Sequence, residues 1–325
     1  MTMTHALWLT GKNQATLRET ALGPLREDDV RITSLFGAIS RGTEALVANG
    51  AVPTGEYQTM RAPLQEGHFP FPVKYGYAVV GTIEEGPAER IGETVFCLHP
   101  HQDVFHAPAA MAIRVPDIVS TPRAVLAANM ETALNGVWDA AILPGDKVVI
   151  VGGGLVGLLV AFLAAKIPGT NVTVVDVNDG RAVLVEKFGC RFSPPSAAEA
   201  IAGGSDVVIH TSASAAGLAT SVALAGFEAR IVEMSWYGDR MPEVSLGGRF
   251  HSQRLSIVGS QVGHVPHHRR ARWPLTRRME KALELLADER LDGLFSGETA
   301  FGSLAEDYAK ILADAGTLCH RIRYR

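Results

Sequence analysis

Three glycines spaced as G-x-G-x-x-G are the residues of this chain whose pattern points most directly to chemistry. Gly152, Gly154 and Gly157 follow the apolar run 147–151 and precede an apolar helical pattern. The first glycine permits a tight turn, the second lets a pyrophosphate approach the backbone, and the third lets the helix pack closely on the strand. The pattern therefore predicts a dinucleotide site, and the alternative is a glycine-rich turn in an unrelated α/β domain.

Two further features support a dinucleotide at this turn. Leu155 and Val156 open the predicted helix, whose first N–H groups lack intrahelical partners and attract a diphosphate. Asp176 follows the next apolar run, where an acid accepts hydrogen bonds from the adenine ribose and repels a 2′-phosphate. The sequence thus favours NAD(H) over NADP(H), although Arg181, a further candidate cofactor contact, lies five residues beyond the acid and weakens that preference.

The pattern of predicted secondary structure changes along the chain, from short strands to alternating helices and strands. Up to about residue 116, short apolar runs broken by Gly and Pro predict a β-rich domain. Alternating helices and apolar strands follow, which predicts a parallel sheet covered on both faces. The predicted elements are helices at 124–140, 155–166, 181–188, 214–224, 275–288 and 303–315, strands at 147–151, 172–176, 206–210, 229–234 and 255–259, and a strand-like tail at 319–324.

Composition bounds the class of protein. The chain has 325 residues, is 47% hydrophobic and carries a net charge of −4, which predicts a globular protein of two domains that binds neither nucleic acid nor membrane. The longest apolar run contains the glycine turn, so we interpret it as a buried strand and helix. Three widely spaced cysteines and a first segment unlike a signal peptide predict a cytoplasmic protein.

Several segments resemble the medium-chain dehydrogenase/reductase superfamily, in which a GroES-like β-domain accompanies a Rossmann domain. They are Phe36–Glu44, Lys74–Gly81, Pro144–Gly152, Arg181–Gly189 and Leu255–Ser260. The resemblance covers nearly the whole chain. It implies an α/β fold, with a doubly wound parallel sheet at 122–260 and a GroES-like domain formed by 1–121 and completed by a return segment at 261–325. It also implies a homodimer.

The same resemblance implies that the zinc ligands of this family are missing. The catalytic cysteine, histidine and glutamate of zinc alcohol dehydrogenases align with Ser40, Tyr77 and Ala78, and the four closely spaced cysteines of the structural zinc are absent. Zinc normally polarises the substrate oxygen, so another group must do so here. The candidates are Tyr77, Thr43 and His99, together with His101; the alternative for Tyr77 is a packing side chain.

Other candidate residues lie at predicted strand ends or follow from the resemblance. Arg41 aligns with a family position that contacts the cofactor pyrophosphate, and a guanidinium suits that contact. His210 and Ser235 each end or follow a strand at the carboxyl edge of the sheet, where loops meet the cofactor. The basic cluster at 264–278 is interpreted as a solvated loop or subunit contact, or as a site for an anionic substrate or the cofactor phosphates.

Two alternative chemistries are weaker. Cys97, His99, His101 and His106 form a candidate metal-ligand set, but strand spacing and Pro100 predict poor tetrahedral geometry. Ser40 as a nucleophile lacks a recognisable histidine and acid.

The sequence therefore predicts a zinc-independent, NAD(H)-dependent oxidoreductase that acts on a small or medium alcohol, carbonyl or enone in an interdomain cleft. The alternative is a non-catalytic dinucleotide-binding sensor or assembly protein with the same fold.

Overall fold

The computed structural model describes residues 3–325. The strands are β1 (Met3–Gly11), β2 (Gln14–Ala21), β3 (Asp29–Ser40), β4 (Glu66–Gly67), β5 (Val73–Lys74), β6 (Val79–Glu85), β7 (Thr94–Cys97), β8 (Val104–Pro108), β9 (Ile113–Arg114), β10 (Lys147–Val151), β11 (Asn171–Val175), β12 (Arg191–Ser193), β13 (Ser205–His210), β14 (Ala225–Glu233), β15 (Ser256–Gly259), β16 (Phe295–Ala300) and β17 (Cys319–Arg323). The helices are α1 (Arg41–Ala48), α2 (Ala127–Ala140), α3 (Leu155–Ala164), α4 (Ala182–Lys187), α5 (Ala215–Leu224), α6 (Leu275–Glu284) and α7 (Leu304–Ala313). None of the helices described is long and apolar enough to cross a membrane.

The chain forms two compact units. The β-rich unit comprises the described residues up to Ala128 together with Thr276–Arg325, and the parallel-sheet unit comprises Asn129–Leu275. These bounds lie later in the chain than the boundaries proposed from the sequence, at 121/122 and 260/261. The first difference has a physical reason, since the short 3₁₀ turn at 124–126 is buried and packs on β3 and β6 of the β-rich unit.

The β-rich unit is built around the long strand β3. Its larger sheet has the order β16-β17-β3-β6-β7-β9, with β8 also paired to β3, and a smaller sheet has the order β2-β1-β5-β4. The C-terminal strand β17 pairs antiparallel with β3, so that Cys319 lies opposite Ser40. Apolar side chains of β3, β6, β7 and β8, among them Ile32 and Phe105, form a buried cluster under this sheet. The last residues of the chain thus support the end of β3, from which α1 begins.

The parallel-sheet unit has six parallel strands in the order β12-β11-β10-β13-β14-β15. This is the doubly wound order that brings the carboxyl ends of β10 and β13 together at a topological switch point. Beyond its first residue, the central strand β10 is buried on both faces, and nine of the ten residues of α3 are buried. The predicted α/β fold class, a Rossmann sheet with a β-rich GroES-like domain, is confirmed. β12 was not predicted, because three residues are too few to give a periodic signal.

Candidate dinucleotide and catalytic sites

The glycine turn lies at the carboxyl end of β10, and its geometry requires glycine. Gly152 has φ of +112°, and a Cβ there would lie 2.8 Å from the backbone nitrogen of Ser212. A Cβ on Gly157 would overlap the carbonyl oxygen of Gly152 and lie 2.7 Å from Thr211 Oγ1. A Cβ on Gly154, by contrast, would meet no other atom within 4 Å. Two glycines are therefore required by packing, while the third leaves room at the turn.

The turn opens directly onto the first turn of α3. Gly154 is the N-cap of this helix and has no side chain to bond the following N–H groups, including those of Leu155 and Val156. Such N–H groups carry the positive end of the helix dipole and suit a diphosphate. The open space and the unpaired donors fit the pyrophosphate of a dinucleotide.

Asp176 lies immediately after β11, beside the glycine turn. Its Oδ2 accepts a hydrogen bond from the Gly153 nitrogen at 2.5 Å, and its Oδ1 accepts one from the Asn178 nitrogen at 2.7 Å. These bonds orient the carboxylate at the position where a dinucleotide places its adenine ribose. Arg181 ends the short 3₁₀ turn Asp179–Arg181 that leads into α4. The assignment of Asp176 and Arg181 to cofactor binding stays a prediction.

A hydrogen-bond network joins the ends of β13 and β14. His210, fully buried, donates from Nδ1 to Glu233 Oε2 at 2.7 Å, while its Nε2 lies 2.7 Å from Ser212 Oγ. The Tyr237 hydroxyl also donates to Glu233 Oε2, at 3.2 Å. The backbone nitrogen of Ser235 donates to Glu233 Oε1 at 2.8 Å. Two of the predicted cofactor neighbours, His210 and Ser235, are thus brought together around one carboxylate.

The charge of Glu233 is stabilised by this network. Burial by itself raises the pKa of Glu233, but the hydrogen bond and charge of His210, with the hydrogen bonds of Ser235, outweigh burial and lower that pKa. Beyond His210, Ser212 Oγ lies 2.9 Å from Ser214 Oγ, and Ser214 caps α5 by accepting from the Gly217 nitrogen at 3.0 Å. The network therefore fixes the loop between β13 and α5, on the edge of the sheet that carries the glycine turn.

In the β-rich unit, three hydroxyl groups meet where β3 gives way to α1. The hydroxyls of Ser40 and Thr43 lie close enough to the partly exposed phenol of Tyr77 to affect its pKa. Burial of the phenol, and then the charge of Glu44, raise the pKa of Tyr77, and the nearby hydroxyls of Ser40 and Thr43 only partly offset this. Tyr77 is thus held in its protonated form through neutral pH. The structure brings two of the predicted catalytic residues, Tyr77 and Thr43, into contact.

Glu44 is a wholly buried carboxylate below this hydroxyl cluster. Its Oε1 accepts from the backbone nitrogen of Ser40 at 2.8 Å, and its Oε2 accepts from His101 Nε2 at 2.9 Å and from the Tyr308 hydroxyl at 2.7 Å. The bond to Ser40 satisfies the backbone N–H of the N-cap of α1 from a residue four positions further along the chain. Burial and the charge of Glu44 hold the pKa of Tyr308 well above its usual value, so its hydroxyl remains a donor.

His101 fits beside Glu44 because Gly76 has no side chain. A Cβ on Gly76, whose φ is +119°, would lie 2.8 Å from His101 Nε2. The other ring nitrogen, Nδ1, has no hydrogen-bond partner among residues 3–325. Since a carboxylate oxygen only accepts, it is Nε2 of His101 that donates in the contact with Glu44.

His99 has different neighbours from Tyr77. Its ring stacks on Phe105 with centroids 3.6 Å apart, and Nδ1 donates to the Pro100 carbonyl oxygen at 2.8 Å. Burial and then the nearby Lys74 charge lower the pKa of His99 well below its usual value, so the ring is neutral. Its role in catalysis stays a prediction. Arg41, the first residue of α1, donates from Nε to the Leu312 carbonyl oxygen at 3.0 Å, and its contact with a cofactor likewise stays a prediction.

The side chains at the aligned ligand positions do not fit a catalytic zinc ion. Ser40 and Tyr77 offer hydroxyl groups whose pKa lies too high for ready ionisation, and Ala78 offers no donor. The set formed by Cys97, His99, His101 and His106 is not a candidate either, because no group of three or more His, Cys, Asp or Glu side chains in the described part of the chain is placed to hold a metal.

The named proteins that this chain resembles are dehydrogenases. No family model matches the chain. The chain is 26% identical over 330 residues to D-guloside 3-dehydrogenase of Escherichia coli (strain K12), covering 92% of this chain and 93% of that protein. A putative zinc-binding dehydrogenase from Sinorhizobium meliloti 1021 bound to NADP has the same fold, with a TM-score of 0.81, 20% identity and full coverage of both chains.

A second solved structure, an alcohol dehydrogenase from E. coli CFT073 in complex with NADH, gives a TM-score of 0.79 at 17% identity, again with full coverage of both chains. The fold and its glycine turn define a nicotinamide-dependent dehydrogenase or reductase. The relatives of this chain are zinc-type alcohol dehydrogenase-like members of the medium-chain dehydrogenase/reductase superfamily, in agreement with the resemblance predicted from the sequence.

Four residues of these sites were not singled out from the sequence. Glu44, Ser212 and Glu233 have no periodic or motif signal, because their importance depends on partners distant in the chain. Tyr308 lies 264 residues from its acceptor Glu44.

Proposed function

We propose that this enzyme transfers hydride between NAD(H) and the C–OH or C=O group of a small polyhydroxylated substrate, without zinc, with Tyr77 exchanging the proton. The observation that carries the proposal is the cluster of Tyr77, Ser40 and Thr43, which places hydroxyl groups at positions where the family has metal ligands. The name of D-guloside 3-dehydrogenase indicates oxidation of a sugar hydroxyl, which supports a polyhydroxylated substrate.

The residues that would hold the cofactor belong to the parallel-sheet unit. The N–H groups at the start of α3 would bind the pyrophosphate, and Asp176 would bind the adenine ribose and disfavour a 2′-phosphate. His210 and Ser235 would line the same edge of the sheet. When bound, the nicotinamide ring accepts or supplies the hydride. Arg41 is kept as a candidate contact with the pyrophosphate.

Tyr77 is the group best suited to the proton. A phenol held protonated donates a hydrogen bond to a carbonyl oxygen and can give up its proton as that oxygen gains charge. Ser40 and Thr43 can donate to the phenolate oxygen that forms, which limits the cost of its charge. His99 is a weaker candidate, since its neutral ring is packed on Phe105 and its Nδ1–H already donates a hydrogen bond to the Pro100 carbonyl oxygen.

The raised pKa of Tyr77 gives the proposal a directional test. The phenol is protonated throughout pH 6–9, so carbonyl reduction is expected to be flat with pH in that range. Alcohol oxidation needs the deprotonated form, whose fraction rises about tenfold per pH unit, so oxidation is expected to accelerate steadily. Both directions can be followed by steady-state kinetics in the presence of a chelator. Reduction of a panel of ketones is measured with NADH, and oxidation of the corresponding polyols is measured with NAD⁺.

The variant Tyr77→Phe keeps the ring and removes the proton. We expect kcat to fall about 10²- to 10⁴-fold, the usual contribution of a positioned acid or base, with little change in the Kd for NADH. Tyr57→Phe, a tyrosine of the same unit that packs against Phe69, is the matched control. A Tyr77→Phe enzyme with unchanged kcat and pH profile would contradict the assignment. Binding of NADH without turnover of any alcohol, ketone or enone would instead favour a non-catalytic dinucleotide-binding sensor or assembly protein with the same fold.

Homodimer formation and a cytoplasmic location remain proposals. The outer edge of β15 has no strand partner among residues 3–325, and Ile257 on this strand is exposed. The thiols of Cys97, Cys190 and Cys319 are buried and unpaired, as expected in a reducing compartment.

A further inference from the structure

The longest stretch of the chain without a carboxylate follows β14. Between Glu243 and Glu280 there is no aspartate or glutamate, whereas the stretch contains seven arginines and four histidines. The rest of the chain must therefore be strongly acidic, because the whole chain carries a net charge of −4. Such a separation of charge indicates an electrostatic role for this stretch.

The centre of the stretch is an ordered loop, residues 264–272, here named the basic loop. Its backbone forms a compact turn in which the nitrogens of Arg269 and Arg270 both donate to the Pro266 carbonyl oxygen, at 2.8 and 3.0 Å. Val265 and Pro266 are buried beneath it, while His267, His268 and Arg270 are exposed. The turn thus holds cationic side chains on its outer face.

Aromatic side chains anchor the basic loop to α2. The Arg269 guanidinium lies over the Trp138 ring, 4.8 Å from its centroid, and Trp138 packs against Trp273 with centroids 4.9 Å apart. Just before the loop, Ser260 Oγ donates to Asp139 Oδ2 at 2.7 Å. A stacked guanidinium loses little further conformational entropy when its N–H groups bind an anion.

Two arginines of this loop, Arg269 and Arg270, have no carboxylate partner within residues 3–325. Neither Arg269 nor Arg270 forms an ion pair there, and the same holds for His264, His267 and His268. Two adjacent arginines and three histidines held by one turn repel each other when charged, and an anion would relieve that repulsion.

The position of the loop indicates which anion. It follows β15 at the carboxyl edge of the sheet, the edge that carries the glycine turn. Asp176 follows β11, four strands away, which is about 19 Å at the usual strand spacing. In this fold the adenosine half of the cofactor lies on the β11 side and the nicotinamide half extends toward β13 and β14. An anion at the basic loop is therefore too far from β11 to be the 2′-phosphate of the cofactor, and it lies on the side of the reacting ring.

We propose that the basic loop recognises a carboxylate or phosphate group on the substrate, through Arg269 and Arg270. This inference rests on the proposed hydride-transfer function and specifies its substrate as an anionic polyol, a sugar acid or a sugar phosphate. Both groups present the same chemistry, oxygen atoms that accept charge-assisted hydrogen bonds from guanidinium.

The test compares affinities rather than rates. Isothermal titration of the full chain with glucitol, gluconate and glucitol 6-phosphate should show at least one of the two anions binding at least tenfold more tightly than glucitol, and the tighter of the two identifies the source of the charge. Arg270→Gln, at an exposed side chain, should remove about tenfold of that preference and leave glucitol binding and the Kd for NADH unchanged. Arg269→Gln should do the same. Arg191→Gln, an exposed arginine at the start of β12, is the control and should have no effect.

Equal binding of all three polyols would overturn the inference, as would an equal loss of affinity in Arg191→Gln. A DNA duplex that binds more tightly than either anion, and whose binding Arg270→Gln removes, would assign the loop to a polymeric anion and also overturn it. Because these are binding measurements, they are independent of turnover. Absence of turnover with a preserved anion preference would count against the hydride-transfer function alone.

Discussion

Replacing Glu44 by glutamine should destabilise the β-rich unit strongly, although the change removes only one oxygen. The wild-type carboxylate accepts three hydrogen bonds, from Ser40 N, His101 Nε2 and Tyr308 OH, at 2.7–2.9 Å. Glutamine has one acceptor oxygen and one donor amide. In its better orientation it keeps His101 and Tyr308, but its amide nitrogen then faces the Ser40 N–H, donor against donor.

The magnitude follows from these contacts. Leaving a buried N–H unpaired costs about 1–3 kcal/mol, and turning two charge-assisted bonds into neutral ones costs about 1 kcal/mol each. Glutamine is neutral, so the variant avoids the large desolvation cost that a buried carboxylate carries. This gain offsets part of the loss from the three hydrogen bonds. We expect Glu44→Gln to lower the free energy of unfolding by about 3 kcal/mol, which is a fall in Tm of about 6–12 °C for a unit of this size.

Thermal unfolding followed by calorimetry would measure this effect. Glu85→Gln is the matched control, because Glu85 is a half-exposed carboxylate that pairs with Arg31 at 2.6 Å, and a surface pair contributes about 0–1 kcal/mol. A second readout concerns Tyr77, whose pKa is raised in part by the Glu44 charge. Removing that charge should lower the pKa of Tyr77 and raise the rate of alcohol oxidation at a given pH, provided the variant folds. Equal Tm values for Glu44→Gln and wild type would refute the reasoning, since they would mean that this buried group is not an anion in the native protein.

Three further predictions concern the cofactor and the metal. Asp176→Ala should narrow the preference for NADH over NADPH, as measured by fluorescence titration; wild-type protein that binds NADPH as tightly as NADH would contradict the role of the acid. Gly157→Ala should weaken NADH binding at least tenfold, because the new Cβ overlaps the Gly152 carbonyl oxygen and displaces the turn, whereas Gly247→Ala, where nothing lies within 4 Å, should not. Activity should survive chelator treatment, and elemental analysis that finds about one zinc per chain would overturn zinc independence.

The parallel-sheet unit was largely predictable because its signals are local. Two apolar runs, three glycines and one acid lie within the 30 residues from 147 to 176, and each has a conformational reason that a single sequence shows. β12 and α1 were missed, since a three-residue strand and an eight-residue helix inside a glycine-rich segment give little periodicity. The contacts that orient the catalytic candidates were not predictable. Glu44 meets Tyr308 only because α7 returns to the first domain, and no local pattern encodes that meeting.

The two units use the same device to hold a loop that carries candidate site residues. In each, a glutamate, wholly buried in the case of Glu44 and partly buried in the case of Glu233, accepts from a backbone N–H through Oε1 and from a histidine and a tyrosine through Oε2: Ser40, His101 and Tyr308 for Glu44, and Ser235, His210 and Tyr237 for Glu233. An acceptor shared by three donors fixes all of them at once, because moving any one leaves a polar group without its partner. The segments so fixed are the start of α1, which carries Ser40 and Thr43 beside Tyr77, and the β13–α5 loop beside the glycine turn. Hydride transfer requires reacting groups held within a few tenths of an ångström, and loops fixed in this way would supply that precision in the zinc-independent reaction that we propose.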